Sequence, residues 1–316
     1  MKVYWDVDQL PDTPVEPVAT MGNLDGIHRG HQVIISRLQQ EAERIGAETL
    51  VITFEPHTRR VVRPHDDFRT VMTLKEKLGR LHERDVDHVL VLPFADGYAE
   101  MSAKEFIEEV IWEPLHVRAM YVGHDAGFGK RREGDVRLLT SEGRRLGFHV
   151  GVVDPLLVGG KRVSSSRVRA AVTAGKLDVA ARLLGRDHVV SGMVMRGFRR
   201  GRELGFPTAN ISDEATVLPP HGVYVGWAQT QDNCRHGAMI NVGTRPTFDN
   251  GAVSVEAHLF NYSGDLYGQE LRVSLRQRLR GEVQFDDPDQ LRIQLKKDAV
   301  DARKLLGIKR AKAKGG

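Results

Sequence analysis

The spacing of apolar residues changes character once along the chain, near Gly185, and that single change restricts the folds open to it. Before it, short β-like runs alternate with helical stretches. Residues 17–21, 48–54, 88–93, 118–122 and 148–153 are short and largely apolar, as buried strands are. Between them Ile34, Ile35, Leu38, Ala42 and Ile45 recur at helical spacing. Thr73 and Glu76 form a capping-box pattern on a Leu74, Leu78, Leu81 stripe, Ser102 with Glu105 opens another helix, and 135–147 carries Leu138, Leu139 and Leu146. Such alternation predicts a parallel, doubly wound sheet with ligands at the carboxyl ends of its strands. After the helical stretch 165–174 and an apolar run ending at Leu184, the alternation stops. Segments 189–195, 222–229, 237–242, 253–260 and 271–279 are β-like and broken by Gly, Pro and Asn, the texture of a small antiparallel barrel. A last helix starts near Pro288, with Leu291, Leu295, Ala299, Ala302, Leu305 and Leu306 on one face. The expected class is α/β: an N-terminal doubly wound parallel sheet, then a C-terminal small antiparallel β-barrel and a terminal helix. The expected domains are 1–185 and 186–308, with 309–316 a basic, disordered tail.

Composition narrows the function classes. A chain of 316 residues is comfortable for two cores. Its 46 Lys and Arg against 42 Asp and Glu give +4, and much of the excess sits in Lys309, Arg310, Lys312 and Lys314. A nucleic-acid-binding reading has only that tail and a pI near 9.2 behind it, without interleaved aromatic and basic residues, so no nucleic-acid partner is expected. One cysteine, Cys234, excludes an internal disulfide and a thiolate metal cluster. The opening six residues are too short and acidic for a signal peptide, and no apolar stretch reaches membrane-spanning length. A cytoplasmic monomer or weak homo-oligomer without membrane partners is expected.

The chemistry concentrates first in Gly22-Asn23-Leu24-Asp25-Gly26-Ile27-His28-Arg29-Gly30-His31-Gln32, a glycine-punctuated turn between the first strand and the first helix. Free N–H groups and a helix dipole of about half a positive charge favour an anion at such a junction. Other phosphate loops fail: the glycine that a Walker A loop needs before Gly129-Lys130 is His124, and Arg132 stands where a dinucleotide fingerprint needs its third glycine. Zinc lacks third and fourth ligands beside His28 and His31. The x-His-x-Gly-His pattern resembles the signature of the adenylyl-transferring nucleotidyltransferase superfamily, a Rossmann-like fold. Taken alone, His-Gly-His is an ordinary turn with solvated histidines. A second element, Ser164-Ser165-Ser166-Arg167-Val168-Arg169, follows the fifth strand and offers hydroxyls at a helix start with arginines one turn in.

The barrel carries a more specific signal. Gly201-Arg202-Glu203-Leu204-Gly205-Phe206-Pro207-Thr208-Ala209-Asn210, Leu218-Pro219-Pro220-His221-Gly222-Val223-Tyr224, Asn241-Val242-Gly243-Thr244-Arg245-Pro246-Thr247, Val255-Glu256-Ala257-His258 and Asp265-Leu266-Tyr267-Gly268 follow in the order and spacing of riboflavin kinase. With the first module, the chain from about Pro17 to Gly307 is similar to the bifunctional prokaryotic riboflavin kinase/FMN adenylyltransferase, or FAD synthetase, family.

The resemblance implies two ATP-dependent reactions, riboflavin to FMN in the barrel and FMN to FAD with release of pyrophosphate in the N-terminal domain. His28, His31 and Arg167 would stabilise charge during adenylyl transfer, with Gly22, Asn23, Asp25, Gly30, Ser164, Ser165 and Ser166 on ATP. Phe54, Pro56, His57, Asp125 and Phe128 would line the flavin side of that site. In the barrel Gly192, Gly197 and Gly201 would form a flap over ATP, Thr208 and Asn210 would hold Mg²⁺, Arg245 would contact flavin, and Glu256 would act as general base. The chain departs from the family pattern at Leu24, Thr58, Ser166 and Ala126-Gly127, where an aromatic, a second proline, a threonine, and an aromatic with a polar or basic residue are usual. The last departure motivates the alternative, a kinase whose N-terminal domain has become a nucleotide- or flavin-binding regulator.

Overall fold

A computed structural model describes residues 1–95, 97–196, 201, 204–212, 216–244, 253–285 and 287–308. By packing, the chain divides into two compact units, Met1–Thr70 with Leu74–Ser165, and Val71–Thr73 with Ser166–Gly316. The division falls before the sequence boundary at Gly185, because α6 (Ser165–Thr173) and α7 (Leu177–Leu184) cluster almost wholly with the second unit, where α7 packs on two barrel strands, His188–Met195 and Glu270–Arg280.

The first unit holds a six-stranded, wholly parallel sheet, built from β1 (Lys2–Tyr4), β2 (Val18–Met21), β3 (Thr49–Glu55), β4 (His88–Pro93), β5 (Ala119–Gly123) and β6 (His149–Val153) in the order β1-β4-β3-β2-β5-β6. Around it are α1 (Arg29–Ile45), α2 (Thr58–Val62), α3 (Leu74–His82), α4 (Ala103–Glu105), which runs on as a π-helical stretch Phe106–Trp112, and α5 (Val136–Leu146). The five expected strands are all present. The edge strand β1 and a small hairpin of β7 (Leu157–Val158) and β8 (Lys161–Arg162) are additions. At two or three residues, these elements are too short to show a period. The sheet grows outward in both directions from β2, so the crevice between β2 and β5 is the topological switch point. Doubly wound sheets bind ligands at such a crevice. The turn after β2 and the loop after β5 both open there.

The stripe expected on α3 is corrected. Glu76, Lys77 and Leu81 are its buried residues, while Leu74 and Leu78 are only partly covered.

The second unit holds a closed barrel. Its strands β9 (His188–Met195), β10 (Ala209–Ile211), β11 (Gly222–Gln229), β12 (Arg235–Thr244), β13 (Val253–Leu259) and β14 (Glu270–Arg280) follow the circular order β10-β13-β12-β11-β14-β9. Alternation sorts the side chains: Tyr224, Ile240, Val255, Ala257 and Val273 fill the interior, whereas Val223, Val225 and Met239 face outward beneath α8 (Pro288–Leu306), which contributes Leu295, Ala299 and Ala302. The buried Asp298 of α8 accepts two bonds from the Arg280 guanidinium, at 2.9 and 2.8 Å. Sequence reasoning missed β10, the strand that closes the barrel by pairing with both β13 and β9. Two of its three residues, Ala209 and Asn210, end a motif whose Gly-Phe-Pro reads as a turn.

Gly192 stands within β9 opposite Leu271, in the barrel wall and not in a flap as expected. A Cβ there would lie 2.0 Å from the Ser212 carbonyl oxygen, which is backbone and cannot swing away. Gly192→Ala is therefore expected to destabilise the barrel by about 1–3 kcal/mol, measured as a lower urea midpoint. An unchanged midpoint would show that the wall yields at that crossing.

Candidate active sites

The turn after β2 is tightly folded. Gly22 donates its N–H to the Ile52 carbonyl at 3.0 Å, continuing the ladder with β3, and the backbone then takes positive φ at Leu24, Gly26 and Ile27. Leu24 and Ile27 are buried, which holds a conformation that non-glycine residues rarely adopt. His28 is the N-cap of α1, its Nδ1 accepting the His31 backbone N–H at 3.2 Å. The two imidazoles stack with centroids 3.6 Å apart. Gly30 makes room for this arrangement, since a Cβ there would stand 3.1 Å from His28 Cε1. Asn23 reaches across to α2: its Oδ1 accepts the Thr58 N–H at 3.1 Å, and its Nδ2 donates to the Thr58 hydroxyl at 2.8 Å. Thr58, one of the departures from the family pattern, thus supplies a backbone donor that proline lacks.

Ser165, the first residue of α6, donates its hydroxyl to the carbonyl of the buried Asp25 at 2.8 Å, so the second sequence element does meet the first turn. Ser164 directly precedes that helix, Ser166 accepts from Arg169 at 3.3 Å, and Arg167 lies on the same first turn. After β5, the Asp125 carboxylate pairs with Arg162 at 2.7 Å, and its backbone carbonyl accepts from Arg132 at 3.2 Å. The Arg132 guanidinium lies over Gly127, where a Cβ would come within 2.7 Å of it. A cation from five residues on therefore covers the position that lacks a side chain. Phe54 and Phe128 are buried in one aromatic cluster with Phe94 and Phe106, so they support the wall of a cleft more than they offer a free ring face. His57 caps α2 and packs on Phe68 at 4.6 Å, directly after Pro56. A separate open cleft, lined by Arg44, Trp112, Arg118 and His149, lies at the opposite, amino ends of β5 and β6 and holds none of these residues.

Lys77 is the residue that sequence reasoning missed here. It is 5% exposed and donates from Nζ to the Thr53 hydroxyl at 3.0 Å. Thr53 in turn donates to the Asn23 carbonyl at 3.4 Å. The signal was available: Lys77 stands three residues after Leu74 and four before Leu81, on the apolar face of a predicted helix.

In the barrel, register brings the expected kinase residues together. Asn210 of β10 lies opposite Glu256 of β13, and Glu256 lies opposite Asn241 of β12, so the three share one face across three strands. Thr208, two residues before Asn210, donates its hydroxyl to Glu256 Oε2 at 3.2 Å. The turn that carries Thr208 is braced by His258, whose Nδ1 lies 2.9 Å from the Pro207 carbonyl and whose ring meets Phe206 edge-on at 5.2 Å. Gly201 closes the same turn by accepting the Phe206 N–H at 2.7 Å. Asn241, quoted within a motif but given no role from sequence, joins the site through strand register alone. Gly197 and Arg245 lie outside the described residues.

His31, half-buried but with its Nδ1 shut off from solvent, is pushed well below its ordinary value of 6.5, first by loss of hydration and then by the charges of His28 and Lys77. It is therefore neutral at neutral pH, able to hydrogen-bond but not to act as a cation. Below pH 6.5 the unfolded chain takes up a proton at this position that the folded chain resists. Stability is thus lost as pH falls, by up to about 1.4 kcal/mol per pH unit. His31→Gln is expected to flatten that slope, measured as urea unfolding free energies between pH 7 and 5; an equal slope in both proteins would show that His31 titrates normally.

Comparison with known proteins fits this geometry. Residues 11–167 match the FAD synthetase family model, and residues 184–306 match the riboflavin kinase model. Curated relatives named bifunctional riboflavin kinase/FMN adenylyltransferase include one from Escherichia coli strain K12, 35% identical over 98% of this chain and 99% of its own. Another, from Pseudomonas fluorescens, is 36% identical over 91% of this chain and 92% of its own. A crystal structure of a Streptococcus pneumoniae protein described as a macrolide-efflux protein superposes with a TM-score of 0.84 at 29% identity, covering 96% of this chain and 98% of that one. Because both models match in tandem and these relatives align over nearly their whole length, the chain belongs to the bifunctional riboflavin kinase/FMN adenylyltransferase family, enzymes that phosphorylate riboflavin to FMN and adenylylate FMN to FAD.

Proposed function

We propose that the two reactions are divided between residues 1–185 and 186–308, each with its own ATP site. The observation that carries this division is the pairing of Thr208 with Glu256 in the barrel, in a different packing unit from the stacked His28 and His31.

In the barrel, the Glu256 carboxylate accepts the proton of the ribityl 5′-hydroxyl as its oxygen attacks the γ-phosphorus of ATP. The bond from that phosphorus to the bridging oxygen breaks, and ADP leaves with the electron pair. Thr208 and Asn210 offer hard oxygen donors of the kind Mg²⁺ takes. The fit is good at Asn210, whose amide is 9% exposed and makes no side-chain hydrogen bond among the described residues. When bound, the ion would neutralise phosphate charge. Arg245 is assigned to the flavin, and Gly197 with Gly201 to the loop over ATP.

In the N-terminal domain, a phosphate oxygen of FMN attacks the α-phosphorus of ATP, the α–β bridging bond breaks, and pyrophosphate leaves. The first N–H groups of α1, those of Arg29 and Gly30, with the turn from Gly22 around them, receive the triphosphate. His31 Nδ1 is buried without a partner among the described residues, as a group reserved for a ligand would be. Ser164 and Ser165 form the second wall, and Pro56, His57 and Asp125 the flavin side. The intact turn supports catalysis over a degenerate binding role. A cytoplasmic monomer or weak homo-oligomer acting on small molecules, without nucleic-acid or membrane partners, completes the reading. No described helix is long and apolar enough to cross a membrane.

A time course following riboflavin, FMN and FAD together tests the division. Glu256→Gln is expected to lower FMN formation by about 10²–10⁴-fold while leaving FAD formation from supplied FMN intact. In the same assay, His28→Ala should block FAD and spare FMN. Loss of both activities in a folded His28→Ala protein would contradict separate sites.

A further inference from the structure

The apolar face of α3 carries one residue that packing does not call for. Lys77 shares that face with Leu74 and Leu81, and a methionine or leucine would fill the position without burying a charge. An ammonium has three donors. Among the described residues Lys77 uses one, on the neutral Thr53 hydroxyl, and no carboxylate lies within ion-pair distance of it. Taking a cation out of water is costly when no partner repays the lost hydration. Asp25 and Glu55 act on it through space, against the effect of burial. Both flank the carboxyl ends of β2 and β3, where the turn opens.

We propose that Lys77 is a positioning residue for adenylyl transfer: its ammonium braces the Gly22–His31 turn through Thr53 and Asn23 and directs positive charge at the triphosphate bound there. The inference rests on the reading of that turn as the ATP site. It assigns the site's buried cation to a helix that neither histidine nor serine motif includes. The stacked imidazoles orient hydrogen bonds, and the lysine behind them supplies charge. Because that charge acts equally on bound ATP and on the transition state, its loss falls on binding more than on turnover.

The test uses the full-length enzyme and reads only the FMN-to-FAD step, with inorganic triphosphate and adenosine as competing inhibitors. For Lys77→Met, the inhibition constant of triphosphate and the KM for ATP are expected to rise about tenfold, as removal of one nearby charge in a partly screened site implies. The constant for adenosine and kcat should stay within about twofold of wild type, and riboflavin phosphorylation should be unchanged. An unchanged triphosphate constant, or equal weakening of triphosphate and adenosine, would overturn the proposal. If Lys77→Met loses the circular dichroism of the N-terminal unit, Lys77→Arg decides instead: a triphosphate constant near wild type supports the role of charge, and a tenfold rise removes it. A wild-type enzyme that made no FAD from FMN and ATP would refute the reading of the turn itself, a result distinct from failure of Lys77 alone.

Discussion

The N-terminal site depends on the path of seven backbone residues, Gly22 to His28. The chain leaves the central strand of the sheet there and must present its N–H groups at the switch point before entering α1. It does so by placing Leu24 and Ile27 in left-handed conformations, each costing roughly 1–2 kcal/mol. Burial of the same two side chains, worth about 1.5–3 kcal/mol each, is large enough to offset that strain. Leu24 thus acts as an apolar anchor that holds the strained turn in place.

The proposed kinase site solves a different problem. No single turn holds its residues. Asn210, Glu256 and Asn241 come from three strands and meet because antiparallel register sets them side by side. A slip of one residue in β13 would send Glu256 into the barrel interior and bring Val255 or Ala257 out. Barrel closure by the three residues of β10 is therefore what assembles the site, with the His258 brace on Pro207 fixing how Thr208 enters it.

Departures from a family pattern mean little until neighbours are known. Ala126-Gly127 looks like a loss of substance in the loop after β5, yet the guanidinium of Arg132 lies over Gly127 and is tied to the Asp125 carbonyl. Thr58 in place of proline likewise gains two hydrogen bonds to Asn23.

By itself the sequence determined the architecture and the two chemistries. Apolar period is a local property, so five sheet strands, five barrel strands and the terminal helix were legible, and the His28/His31 turn and the Thr208 motif are contiguous enough to be recognised as they stand. What only the tertiary structure decided are relations between distant residues. These include β10 as the closing strand, Asn241 beside Glu256, Gly192 in the barrel wall, Gly30 as space for the His28 ring, and Lys77 behind the turn. Period and propensity are set by neighbours within a few positions, whereas Thr208 and Glu256 are 48 residues apart and Lys77 and Thr53 are 24. Their meeting follows from strand register and helix docking, which a linear pattern does not encode.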